Sequence, residues 1–141
     1  MVFFASYRPI LLSVLRIMAG LLLLQHGTTK FLGIPHSQMT GASPFTLSGI
    51  AGLMELIGGV LLVIGLFTRA TAFLLSGMLA VAYFYAHAPG GFYPLLNGGE
   101  LAVLYCFVFL YIAAAGGGPL SLDRLRGGDD AAELLAEDRV R

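Results

Sequence analysis

A chain of 141 residues in which 57% are hydrophobic and 11% charged departs from the roughly 45–50% and 25% of ordinary globular domains. Ten of the sixteen Lys, Arg, Asp and Glu residues lie in 121–141, leaving Arg8, Arg16, Lys30, Glu55, Arg69 and Glu100 for the first 120. So little charge over so much apolar sequence excludes an ordinary water-soluble core and a basic nucleic-acid surface, and it predicts one domain whose solvent is lipid. The single cysteine, Cys106, excludes an internal disulfide, a CxxC redox pair and a cysteine-based zinc site. No metal site is expected, and redox chemistry here would need a bound cofactor or a partner.

Taken in order, the chain predicts four membrane spans, at about 9–29, 45–67, 70–87 and 97–115, in a domain covering 1–120. Pro9 suits a first helical turn. Arg16 interrupts the first apolar run and no A-x-A-like site follows it, which argues against a signal peptide. The stretch 33–44, with two prolines and two glycines, is a loop. The second span, 23 residues from Phe45 to Phe67, can cross a core ~30 Å thick at ~1.5 Å per residue. Its one carboxylate, Glu55, shares a helical stripe with Ser48, Gly52 and Gly59. Small residues mark the face that meets another helix, so Glu55 is expected to point into protein. A tight connection at 65–69 makes spans two and three antiparallel neighbours. Span three carries small residues at Ala72, Ser76, Gly77 and Ala80 and ends at His87. The fourth span is short unless its helix starts near Asn97. The tail, 121–141, has two readings over Asp129–Arg139: a short surface helix or a solubilising, partly disordered end.

Four spans place both termini and Arg69 on one side. That side holds Arg8, Arg69, Arg124, Arg126, Arg139 and Arg141, whereas the other holds Lys30. The positive-inside bias then predicts cytoplasmic termini and an outward-facing end carrying His26, Lys30, His87, Asn97 and Glu100. Glu55 would lie ~14 Å below the outer surface and Arg16 ~10 Å above the inner one, which predicts an Arg16–Glu55 pair. Intramembrane ionisable groups are functional candidates by default. For each there is also a structural reading: Arg16 or Lys30 snorkelling to headgroups, Arg69 anchoring the topology, Phe92 and the tyrosines forming an interfacial belt. A faint internal repeat relates His26-x4-Phe31 with Gly52-x2-Glu55 to His87-x4-Phe92 with Gly98-x-Glu100, which would make two similar hairpins.

His26-Gly27-x2-Lys30-x2-Gly33, Gly52-x2-Glu55-x2-Gly58-Gly59 and Gly65-x2-Thr68-Arg69 resemble the pattern of the DoxX family. His87-x4-Phe92, Asn97-Gly-Gly-Glu100 and Gly116-x2-Pro119-x-Ser121-Leu122-Asp123 continue that pattern. The resemblance implies a four-helix protein of the bacterial inner membrane, related to the membrane subunit of a thiosulfate:quinone oxidoreductase. Other members are associated with oxidative-stress and thiol-redox complexes. Gly91-Phe92-Tyr93 stands where the family has Gly-Phe-Phe, a change that bears on the polarity of the site.

The function expected is a quinone-linked redox protein or a redox-complex membrane subunit. A quinone needs an apolar slot and groups that exchange protons, and His26, Glu55, His87 and Glu100 have that chemistry. Lys30, Asn97, Phe92 and Arg16 are the residues expected to hold the cofactor. The alternatives are a non-enzymatic subunit docking a soluble or membrane redox partner, and a carrier of a small solute, for which a homodimer would enclose the path. No further motif supports haem on His26 and His87.

Overall fold

The computed structural model describes residues 6–127 and is an all-α helical membrane bundle. Its elements are α1 (Arg8–Leu32), α2 (Leu47–Ile64), α3 (Thr68–Ala82), the single turn α4 (Pro94–Asn97), α5 (Glu100–Ala115) and the turn α6 (Leu122–Leu125). A wide π-helical turn at Tyr83–His87 and a 3-10 turn at Ala88–Gly90 prolong α3. Arg8–Leu32, Leu47–Ile64 and Thr68–Gly90 are long and apolar enough to cross a membrane, and Glu100–Ala115 is a shorter apolar helix. The two readings of Asp129–Arg139 fall outside the described residues.

Local chemistry sets the boundaries. Pro9 sits in the first turn of α1, and Gly33, at φ 66°, ends that helix in the left-handed conformation. Thr46 caps α2 by accepting from the Gly49 N–H at 3.1 Å. The fourth long element does not start at Asn97. Gly98, at φ 72°, closes the turn Pro94–Asn97, and helix resumes only at Glu100.

The chain packs as two hairpins, α1 along α2 and α3 along α5, joined where α2 meets α3. Lipid is as apolar as a leucine side chain, so close backbone approach and polar bonds, not apolar burial, hold such helices together. A Cβ on Gly27 would lie 2.6 Å from the Leu56 backbone nitrogen, and one on Gly59 3.0 Å from the Leu24 Cα. The small face of α2 therefore meets α1 as its sequence predicts, except that Ser48 is exposed. In the second hairpin the Ser76 hydroxyl donates to the Cys106 carbonyl at 2.8 Å. Ala72 is buried there, whereas Gly77 faces open space. Leu62, Ala72, Leu75, Phe109 and Ile112 make the shared apolar centre.

At the end of the bundle where α2 turns into α3, buried Arg16 binds backbone carbonyls. Its Nε donates to the Gly117 carbonyl at 2.8 Å, its Nη1 to those of Leu62 and Val63, and its Nη2 to that of Leu120 at 2.6 Å. Leu62 and Val63 are last-turn carbonyls of α2, where a cation satisfies orphan acceptors and complements the helix dipole. The expected Arg16–Glu55 pair is not formed. Leu62 lies seven residues beyond Glu55, ~10 Å along the helix, and those terminal carbonyls take the guanidinium first. Arg69 acts likewise on the second hairpin, donating to Ala113 and Ala114 at the end of α5.

The segment after α5 completes this clamp. Ser13 Oγ accepts from the Leu120 N–H at 3.1 Å, and Asp123 accepts from the N–H groups of Phe67 at 2.8 Å and Thr68 at 2.7 Å. A carboxylate on the first N–H groups of α3 is an N-terminal cap supplied from another part of the chain. Residues 121–123, predicted as the start of a charged tail, are thus part of the bundle: Ser121 is buried and Asp123 is bonded at both oxygens.

Candidate functional site

The opposite end of the bundle holds the buried ion pair. Lys30 Nζ donates to Glu55 Oε2 at 2.8 Å, and both side chains are more than nine-tenths buried. Lys30 belongs to the last turn of α1 and Glu55 to the middle of α2, so the lysine stem must lie along the α2 surface. Gly52 makes that possible. A Cβ there would stand 2.7 Å from Lys30 Cδ and 2.9 Å from the Phe31 ring. The loop after α1 folds back over the same place: Gly41 N–H donates to the Lys30 carbonyl at 2.9 Å, and Thr29 Oγ1 to the Pro35 carbonyl at 2.9 Å. His26, one turn before Lys30, is half-buried, whereas His36 in the loop is exposed.

The pair is well placed but not saturated. Among the described residues, the Nζ–Oε2 bond is the one hydrogen bond either side chain makes. An ammonium has three protons and a carboxylate about four acceptor positions, so both groups keep capacity for a polar ligand or water. A buried pair compensates its desolvation only when its remaining positions are also met. The arrangement can therefore receive a small group carrying both a donor and an acceptor.

The other predicted residues at this end belong to the second hairpin. His87 ends the π-helical turn of α3, and its Nδ1 is 3.2 Å from the Asn97 carbonyl. The Asn97 amide donates to the Gly91 carbonyl at 2.8 Å and to the Tyr83 hydroxyl at 3.4 Å, and its Oδ1 accepts from the Gly99 N–H at 2.8 Å. Asn97 thus binds the chain's own turn. Glu100 is the exposed first residue of α5, where a carboxylate suits the positive end of the helix dipole. Phe92 is 86% exposed. Of the expected cluster, His26, Lys30 and Glu55 are carried by the first hairpin and His87, Asn97 and Glu100 by the second, whereas Arg16 belongs to the far end.

Sequence reasoning missed Ser13, Asp123 and the space-making role of Gly52. The Ser-Leu-Asp run after a glycine-rich stop carried a capping signal, and Ser121 and Asp123 both cap helices, α6 and α3 respectively.

An apolar groove of about 260 Å³ runs between α2 and α3, lined in part by Met54, Ile57, Gly58, Leu61, Thr71 and Leu75. Thr71 supplies the polar group of that lining. The groove opens on a different face of α2 from Glu55, which turns toward α1.

Comparison with known proteins agrees with this architecture. The DoxX family profile matches residues 11–88, more than half of the chain. An uncharacterized protein of Haemophilus influenzae is 46% identical over 126 residues, covering 84% of this chain and 92% of its own. The inner membrane protein YphA of Escherichia coli is 30% identical over 131 residues, covering 86% of this chain and 94% of its own. No solved structure matches. With its profile met on the two helices that carry Lys30 and Glu55 and on the third that follows them, the chain belongs to the DoxX family of helical membrane proteins.

Proposed function

We propose that this protein is an inner-membrane subunit of a redox complex, with both termini cytoplasmic and the Lys30–Glu55 end facing outward. The observation that carries the reading is the buried, unsaturated Lys30–Glu55 pair with His26 one turn away. Burying both charges inside a membrane bundle is expensive, and such pairs mark working sites more often than they mark stability. The family resemblance supplies the redox context, and the name of the E. coli relative supplies the membrane.

A quinone site needs an apolar slot and proton-exchanging groups side by side. The groove between α2 and α3 has the shape and lining for an isoprenoid tail and ring. His26, Glu55, His87 and Glu100 are not among its lining residues. Among the described residues, this groove is lined without those groups, which favours a subunit role over a self-contained oxidoreductase. A partner subunit meeting the groove would have to bring the proton-exchanging group.

The test compares the chain purified alone with the chain purified from its native membrane under mild detergent. The proposal expects quinone to be extracted from the second preparation and a soluble quinone analogue to raise the melting temperature of that preparation only, since a ligand that binds the folded state stabilises it. Glu55→Gln should abolish turnover by the complex while leaving it assembled. Full quinone binding and reductase activity in the isolated chain would replace the subunit reading with that of an enzyme. No co-purifying redox partner and no quinone in either preparation would leave the docking role without support. For sidedness, single cysteines at exposed Gln38 and Leu125, with Cys106 replaced, report the two ends; an impermeant reagent on whole cells should label the first and not the second.

A further inference from the structure

The turn that precedes α5 combines three properties. First, α5 has 16 residues, ~24 Å at 1.5 Å per residue, against a hydrocarbon core of ~30 Å. Second, the residues just before it are large, apolar and open: Phe92 is 86% exposed, Leu95 72% and Leu96 78%, with Tyr93 beside them. This surface continues into the exposed, lipid-facing Leu101 and Leu104 of α5. Third, much of the irregular backbone from Tyr93 to Gly99 is bonded within the protein, leaving Phe92 at its edge. Leu96 and Asn97 N–H groups donate to the Tyr93 carbonyl, Gly99 N–H to the Pro94 carbonyl and to Asn97 Oδ1, and the Asn97 amide to the Gly91 carbonyl. The Asn97 carbonyl itself meets His87 Nδ1. Non-helical backbone is tolerated at membrane depth only where protein satisfies its polar groups.

We infer that Phe92–Leu96 is a membrane-embedded wedge, seated among the lipids of the leaflet at the Lys30 end, which completes the short fourth span. The occupant of this apolar surface is the headgroup–acyl boundary, the depth at which aromatic side chains collect. A helix that stops ~6 Å short is accommodated by thinning the bilayer or by what flanks it, and here the flanking turn supplies the missing apolar height. Asn97 is then the pin that makes the wedge compatible with lipid, with His87 fastened to the same pin.

The chain contains no tryptophan, so a single introduced one reports its own surroundings. Phe92→Trp and Leu96→Trp would each be reconstituted in phosphatidylcholine–phosphatidylglycerol vesicles, with Gln38→Trp, in the other loop at that end, as the water-exposed reference. The inference expects blue-shifted emission at 92 and 96, loss of most of it to lipids brominated on the upper acyl chain, and protection from acrylamide. Gln38→Trp should behave in the opposite way. Adding Asn97→Ala to Phe92→Trp should shift the emission back toward the red and restore acrylamide quenching. Acrylamide quenching at 92 and 96 equal to that at 38 would overturn the proposal in favour of a solvent-exposed loop. Protection from both quenchers that disappears on dilution into excess lipid would overturn it in favour of a second copy covering the surface.

Discussion

Arg16 and Lys30 stand on one helix, fourteen residues apart, and both are buried inside a membrane bundle, yet their surroundings differ in kind. Arg16 is surrounded by carbonyls. Every nitrogen of its guanidinium has a backbone acceptor drawn from the end of α2 or from the segment after α5. With Asp123 on the start of α3 and Arg69 on the end of α5, that end of the molecule is a closed set of helix caps. Lys30 instead meets one carboxylate oxygen and keeps two protons in hand. A saturated charge holds a structure in place, whereas an unsaturated one has something left to give a ligand. The comparison teaches that a rare charge in an apolar chain is informative only together with the number of its partners.

The sharpest way to break the comparison is at Arg16. Arg16→Met removes the guanidinium from four carbonyls, of which Leu62 keeps the Gly65 N–H and Gly117 the Ser13 hydroxyl, at ~1–3 kcal/mol for each buried acceptor left unsatisfied. Loss of folded protein in size-exclusion chromatography is the expected result, the largest of any single change. Arg16→Lys should keep the chain folded but less stable, because an ammonium retains the charge and cannot reproduce the planar fork.

Next comes Glu55→Leu, which strands Lys30 and should cost about 3–5 kcal/mol in detergent unfolding. A smaller effect is expected of Asp123→Ala. Losing the cap on α3 costs ~0.5–2 kcal/mol, read as a modest fall in melting temperature without loss of assembly. The smallest is Glu100→Gln, an exposed helix-start substitution expected within ~0.5 kcal/mol of the parent. A large stability loss at Glu100 would show that the second hairpin hides a contact of the Lys30–Glu55 type.

Much of the fold is legible in the residues. Composition and span length give the helical membrane class, and the small stripe at Gly52, Glu55 and Gly59 correctly turns the carboxylate toward a neighbouring helix. What misleads is depth arithmetic. Counting residues from each surface brings Arg16 and Glu55 within reach, but it ignores the last-turn carbonyls of α2, which compete for the guanidinium. It also does not pair Lys30 with Glu55, because it overlooks the missing side chain at Gly52, which opens a course inward along α2. The start of the last long helix differs for a local reason. The Gly98-Gly99 break starts the last long helix three residues late and leaves Glu100 exposed at its tip. Ser13 and Asp123 bond to partners far away in sequence, and such contacts depend on the folded bundle rather than on local spacing.

The central claim is that the bundle has two separate charge systems, with Lys30 and not Arg16 as the partner of Glu55. Two double-mutant cycles in thermal unfolding test it directly: Lys30→Met with Glu55→Leu, and the milder Arg16→Lys with Glu55→Leu. Contacting residues couple by ~0.5–3 kcal/mol, whereas independent sites add within ~0.5 kcal/mol. The account predicts strong recovery of stability in the Lys30–Glu55 double variant and simple additivity for Arg16 with Glu55. Coupling between Arg16 and Glu55, with none between Lys30 and Glu55, would contradict it.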